Sequence, residues 1–163
     1  MRIAVDAMGG DSAPVEIVKG AVAAARSYAD HEIILIGDQD RIQSELSACG
    51  ATLDNVSIVH ASQVVGMNES AIVAVRKKVD SSITKGVKLV AEKAADAVVS
   101  AGNTGATVAA SSLFLRTLEH VKRPGIAVSI PTFHGACMVI DAGANIQCKP
   151  THLMQYGVMA SVF

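Results

Sequence analysis

The stretch that most limits what this chain can become is Asp96 to Ala110, DAVVSAGNTGATVAA. It predicts a buried strand over Ala97 to Ser100, a tight turn over Gly102-Asn103-Thr104-Gly105, and the start of a helix built from small residues. A strand fed into a helix through a glycine turn aims several backbone N–H groups at one place. The helix dipole adds partial positive charge there, which suits a phosphate or another oxyanion. Gly102 and Gly105 allow backbone shapes and close approach that a side chain blocks. Thr104 and Asn103 add a hydroxyl and an amide. Taken alone, such a turn is also the ordinary way to join a strand to a helix.

The rest of the chain repeats the same alternation. Strands are predicted at Arg2–Ala7, Glu32–Ile36 and Val56–His60. Helices are predicted from Pro14 through Ala29, where Val15, Val18, Val22 and Ala25 recur at helical spacing, and from Asp40 to Ala48, with Gly50 as its stop. Glu69–Val79 is ambiguous and can form a helix carrying Arg76, Lys77 and Lys78. Ser81-Ser82 offers an N-cap for a helix striped by Ile83, Val87, Val90 and Ala94. The glycine-turn helix is expected to end near Glu119. Pro124-Gly125 breaks the chain, and Ile126–Ile130 and Ala136–Ile140 follow as strands. Their short PTFHG connection predicts an antiparallel pair. Pro150 starts a last helix that runs to Phe163.

Strand and helix in alternation imply a parallel sheet with helices on both faces. Half of the residues are hydrophobic yet only 3% are aromatic. The core is therefore Val, Ile, Ala and Leu, as buried parallel strands require. The expectation is one α/β domain over residues 1–163: a three-layer α/β/α Rossmann-like sandwich with a mostly parallel sheet.

A formal charge of -1 gives no electrostatic case for nucleic acid or a membrane surface. The apolar runs fall short of the ~20 residues that span a bilayer. Met1 leads straight into a strand, so no signal peptide is expected. Cys49, Cys137 and Cys148 lack CxxC spacing, which predicts reduced thiols in a cytosolic protein. The apolar close, VMASVF, carries no C-cap. It predicts either a fragment of a longer chain or a surface covered by something else.

Ligands of open α/β sheets collect at the carboxyl ends of the strands. Three such ends carry polar, glycine-bearing turns: Asp6 with Gly9-Gly10-Asp11, Ser100 with Gly102 to Gly105, and Asp141 with Gly143 and Asn145. If they share one edge they make one cleft. Arg76-Lys77-Lys78 supplies charge for a phosphate or an acidic partner, or else is a solvated helix face. Asp6 and Asp141 can hold a metal, but a carboxylate at a strand end more often caps a turn. The histidines are scattered without metal spacing, and GxSxG, GxxxxGK[ST] and GxGxxG do not occur.

VDAMGGD (Val5–Asp11), RKKVDSS (Arg76–Ser82), SAGNTGA (Ser100–Ala106), RPGIA (Arg123–Ala127) and DAGAN (Asp141–Asn145) occur in order. With them the whole chain resembles the bacterial phosphate acyltransferases of phospholipid synthesis, the PlsX family. The resemblance implies a fold akin to isocitrate and isopropylmalate dehydrogenases and to phosphotransacetylases. It implies transfer of a long acyl chain from acyl carrier protein to inorganic phosphate, giving an acyl phosphate; separately, no cofactor and no metal are expected. It also implies a homodimer, cytosolic and loosely associated with the inner face of the membrane, and a chain considerably longer than this one. Asn103, Lys78 and Asn145 then become the catalytic candidates. Gly102, Thr104, Gly105, Ser100, Arg76, Asp6, Gly9, Gly10, Asp11 and Asp141 become candidates for binding phosphate or substrate. Ala71 stands where the family often has proline, and PTFHGAC also departs from it, so no role passes to His134 or Cys137. The competing expectations are a phosphotransacylase acting on acyl-CoA and a non-catalytic module that binds a phosphorylated ligand.

Overall fold

The computed structural model describes residues 1–50 and 52–162. Its elements are β1 (Arg2–Asp6), α1 (Val15–Ser27), β2 (Glu32–Gly37), α2 (Gln39–Ala48), β3 (Val56–His60), α3 (Ala71–Lys77), α4 (Ser82–Ala91), β4 (Ala97–Val99), α5 (Thr104–Phe114), β5 (Ala127–Thr132), β6 (Gly135–Ile140) and α6 (Pro150–Val162). The last position expected of the final helix, Phe163, lies outside the described residues. The chain forms two compact units, Met1–Leu115 and the part from Arg116 on.

In the first unit all four strands are parallel, in the order β3-β2-β1-β4. Ile3, Val5, Ile33, Leu35, Val56 and Ile58 face α1 and α2, meeting Val18, Val22, Ile42 and Leu46. The alternate residues Ala4, Ile34 and Ile36 face the other way, against Leu89 and Val90 of α4. Leu35 and Ile36 are neighbours in sequence, point to opposite faces, and are both fully buried. That is why EIILI reads as a continuous apolar run rather than an alternating one. Each such side chain contributes roughly 1.5–3 kcal/mol when buried. A third layer of contacts joins α3, α4 and α5 through Val75, Ile83, Val87, Ala106 and Ala110. The three-layer α/β/α arrangement with its parallel sheet is thus present as expected.

The strand order puts a switch point in this sheet. From β1 the chain winds to β2 and β3 on one side, then returns to β4 on the other. The carboxyl ends of β1 and β4 are neighbours from which the connections diverge, the arrangement that opens a crevice in α/β sheets.

In the second unit β5 and β6 pair antiparallel, from Ala127↔Ile140 to Thr132↔Gly135. This matches the expectation from the short connection. Tyr156 of α6 is the large buried side chain of this unit.

Several boundaries differ from the sequence expectation. α5 ends at Phe114, more than a turn before Glu119, and Arg116 follows with φ 67°. α4 ends at Ala91 rather than Ala94, with Lys93 at φ 59°. α1 stops at Ser27 instead of Ala29. Two of these ends use a non-glycine residue in the left-handed region, which no residue-type rule anticipates.

Candidate functional site

The site is built where β1 and β4 end. Asp6 closes β1 with its carboxylate turned inward, 1% exposed. Oδ1 accepts the Met8 N–H at 3.1 Å, and Oδ2 accepts the Ser100 hydroxyl at 2.7 Å. Ser100 Oγ in turn accepts the Gly102 N–H at 3.0 Å. This relay ties the first strand's turn to the turn after β4, across 94 residues of sequence. Gly9 makes it possible. A Cβ there would run into the Asp6 carboxylate and lie 2.8 Å from Gly102 N. Gly10, at φ 103°, packs its backbone on Ala101. The glycines are used to seat one turn against the other, and Asp11 stands exposed beside them.

α5 starts at this seam. Asn103 is its N-cap, and Oδ1 accepts the Ala106 N–H at 2.9 Å. The other end of the same amide donates to the carbonyls of Gly66 (3.1 Å), Met67 (3.1 Å) and Glu69 (3.3 Å). Asn103 is buried, so its side chain is occupied on both ends by protein. Sequence analysis placed Asn103 against a ligand; the structure places it between a helix start and a loop. Its capping role had a signal, an Asn one residue before the helix. Thr104 and Gly105 are exposed, and among the described residues their N–H groups have no partner. Two free donors on the positive end of a helix of 11 residues are an arrangement that suits an anion.

The loop held by Asn103 leads to the basic cluster. Glu69 Oε1 accepts the Gly66 N–H at 2.7 Å and Lys78 Nζ at 2.5 Å. Lys78 Nζ also donates to the Val64 carbonyl at 2.7 Å. The Lys78 hydrogen bond, then the Gly66 amide, hold the Glu69 carboxyl below its usual value. Asp80 is held well below the carboxylate range, first by Lys85 and then by the hydroxyl and N–H of Ser62. Ser81 caps α4 as the sequence indicated, accepting the Thr84 N–H. The basic run is therefore divided. Lys78 is spent inside the fold, while Arg76 and Lys77 are exposed on the last turn of α3. Ala71 is the first residue of α3, a position where proline fits equally well. A Cβ on Gly105 would lie 3.0 Å from the Ala71 Cβ, so the starts of α3 and α5 touch.

Asp141 and Asn145 belong to the second unit. Asp141 Oδ1 accepts the N–H of Ile126 (2.9 Å) and Ala144 (3.0 Å). Oδ2 accepts the N–H and the side-chain amide of Asn145, at 2.7 and 3.0 Å. Burial pushes the Asp141 carboxyl up, but these donors outweigh it and the net shift is downward. Asn145 Nδ2 also donates to the Pro124 carbonyl and to the Tyr156 oxygen, both at 2.9 Å. Burial raises the Tyr156 phenol. Of the three turns expected to share a cleft, those of Asp6 and Ser100 are joined by hydrogen bonds in the first unit. The third closes a network of its own in the second unit. Sequence analysis missed Glu69, Ser62 and Tyr156, whose partners lie 9 to 18 residues away or in another element. Among the described residues no three His, Cys, Asp or Glu side chains gather as a metal would need.

A family model described as "Fatty acid synthesis protein" matches residues 1–163. The chain is 48% identical over its whole length to a phosphate acyltransferase of Halothermothrix orenii, covering 49% of that protein. It is 50% identical over its whole length to a phosphate acyltransferase of Geotalea uraniireducens, covering 47% of it. The chain thus spans about half the length of the curated relatives it matches. Among solved structures it resembles a phosphotransacetylase from Streptococcus pyogenes with a TM-score of 0.70 at 21% identity, over 97% of this chain and 51% of the other. That likeness is one of fold.

Proposed function

The chain belongs to the fatty acid synthesis protein family, and on that premise we propose that it carries the phosphate-binding side of a phosphate acyltransferase. The reaction moves a long-chain acyl group from acyl carrier protein onto inorganic phosphate, and the acyl phosphate feeds phospholipid synthesis. The observation that carries this reading is the pair of free N–H groups at Thr104 and Gly105, exposed at a sheet switch point.

Phosphate at neutral pH is already an anionic nucleophile, so no Ser-His-Asp relay is required. One phosphate oxygen adds to the thioester carbonyl carbon, and the C=O electron pair moves onto oxygen. The tetrahedral adduct then expels the thiolate as the C–S bond breaks, and the thiolate takes a proton from solvent. The protein must hold phosphate beside the carbonyl and stabilise the developing oxyanion. The Thr104 and Gly105 amides serve one of these two anions. Losing one such donor typically costs about 3 kcal/mol of barrier.

The remaining candidates act by placement. The Asp6–Ser100–Gly102 relay and the Gly9–Gly10 turn fix the seam on which α5 begins. Asn103 fixes the helix start, and Lys78 with Glu69 fixes the loop beside it. Asp141 and Asn145 shape the turn of the second unit. In this reading the enzyme is a cytosolic homodimer with peripheral contact at the inner membrane face. No described helix is long and apolar enough to cross a membrane.

Thioester consumption by the full-length protein tests the proposal. Free thiol should appear only when phosphate is added, with acyl carrier protein preferred over CoA as the donor. Equal use of acyl-CoA would make it a phosphotransacylase. Phosphate binding without any turnover would make it a binding module.

A further inference from the structure

The exposed face of α3 remains unused by the site just described. Ile72, Val73, Arg76 and Lys77 lie at i, i+1, i+4 and i+5, which puts them on one side of the helix. Ala74 and Val75 are buried on the other side. Ile72 is 61% and Val73 48% exposed, although both are large aliphatic residues. Beside them the carboxylates of this region are already taken, Glu69 by Lys78 and Asp80 by Lys85. Arg76 and Lys77 have no carboxylate partner among the described residues. The face is thus apolar at its first turn and carries two uncompensated positive charges at its last.

Its position gives it meaning. The first residue of α3 touches the start of α5 at Gly105. A helix of seven residues is about 10 Å long. Whatever sits on this face is held about that distance from the Thr104 and Gly105 amides.

We propose that this face is the docking surface for the acyl donor's carrier protein, an acidic partner that presents its thioester on a flexible arm. The inference rests on the acyltransferase reading and adds where the donor is held. Arg76 and Lys77 steer the acidic partner and set its register, and Ile72 and Val73 give a small dry contact beside them. The charge is complementary to an acidic protein. A membrane surface fits less well, because membrane-bound helices present a much larger apolar face than two residues. The structure also divides the work within the basic run. Lys78 orders the loop, and its two neighbours face outward.

The test uses full-length protein bearing R76E/K77E, with acyl carrier protein and acyl-pantetheine as alternative donors at saturating phosphate. The loss of kcat/KM on the carrier-bound donor should exceed the loss on acyl-pantetheine about tenfold, since rim charges act on encounter with the partner. R76K/K77R should restore most of the preference. I72S/V73S should reduce it without changing its salt dependence. Added salt should raise the KM for the carrier-bound donor in the parent protein and barely move it in R76E/K77E. Equal losses on both donors, or no loss on either, would overturn the docking surface while leaving the acyltransferase reading intact. Loss of binding to anionic phosphatidylglycerol vesicles with the donor preference unchanged would also overturn it, in favour of a lipid surface. A parent protein that consumes neither thioester in a phosphate-dependent way would defeat the underlying reading instead.

Discussion

The turn after β4 and the turn after β6 both carry glycine and an asparagine, and each is tied to an aspartate. They differ in where their N–H groups go. After β6 the Asp141 carboxylate collects the amides of Ile126, Ala144 and Asn145, and the Asn145 side chain is taken by Asp141, Pro124 and Tyr156. That turn gives the amides of Ala144 and Asn145 to its own acid, and leaves the exposed Gly143 N–H without a partner among the described residues. After β4 the acid belongs to another strand, and Asp6 is satisfied by Met8 and Ser100. Asn103 covers only the Ala106 amide, so Thr104 and Gly105 keep theirs. Residue type does not tell a spent amide from a free one. The pairing of each donor does.

The largest effect on this contrast should come from Gly9→Val. The new side chain meets Gly102 N and the Asp6 carboxylate, and neither can yield without opening the seam. Overpacking of this kind costs about 1–3 kcal/mol. Urea unfolding should show that loss, and phosphate-dependent turnover should disappear with it. Retained turnover would show that the Gly9–Gly102 contact does not shape the proposed anion site.

Asp141→Ala comes next. It strands three backbone N–H groups, and a lost hydrogen bond to a charged acceptor costs about 1.5–3 kcal/mol. The folded Asp141 carboxyl lies below its ordinary 3.8. Its stabilising contribution is therefore complete above the unfolded value and is lost as pH falls through the lower folded one. Acid titration of stability should show a loss below about pH 4 that shrinks in Asp141→Asn. An unchanged acid limb would show that Asp141 does not hold this turn.

Asn103 separates capping from loop holding. Asn103→Ala should cost about 1 kcal/mol for the cap and a similar amount for the clamp, alongside a strong fall in turnover. Asn103→Asp keeps the cap acceptor and loses the donor to Gly66, Met67 and Glu69. Turnover should then fall further than stability, read as kcat against the unfolding midpoint. Equal stability loss in both variants would mean that the clamp matters more than the cap.

The smallest effect is expected from Lys78→Met. The pair it breaks is partly exposed, and such pairs stabilise little. The Glu69 carboxyl, now below its ordinary 4.5, should rise toward that value when followed by NMR. A Glu69 titration that does not move would show that Lys78 does not govern the loop.

Much of this was legible beforehand. The runs RIAVDA, EIILI and VSIVH became parallel strands, and Ser81 became the cap of α4. The glycine turn led into a helix as its residues indicated. Helix ends were less legible, because Lys93 and Arg116 adopt left-handed backbone without the glycine that advertises it. The pairing of the candidate site residues was less legible still. Asn103 looked like a ligand group and proved to be bonded at both ends. Arg76, Lys77 and Lys78 looked like one basic cluster, and only Lys78 turned inward.

The amino-acid order alone determined the class of fold, because aliphatic runs between helical stripes can bury both faces only as a parallel sheet between helices. It also determined where glycine turns and capped helix starts form, because glycine and N-cap rules are local. Which donors stay free was decided only by the tertiary structure. Asp6 finds Ser100 and Asn103 finds Gly66 across long stretches of chain. A hydrogen bond removes an amide from any ligand's reach, whatever the sequence around it.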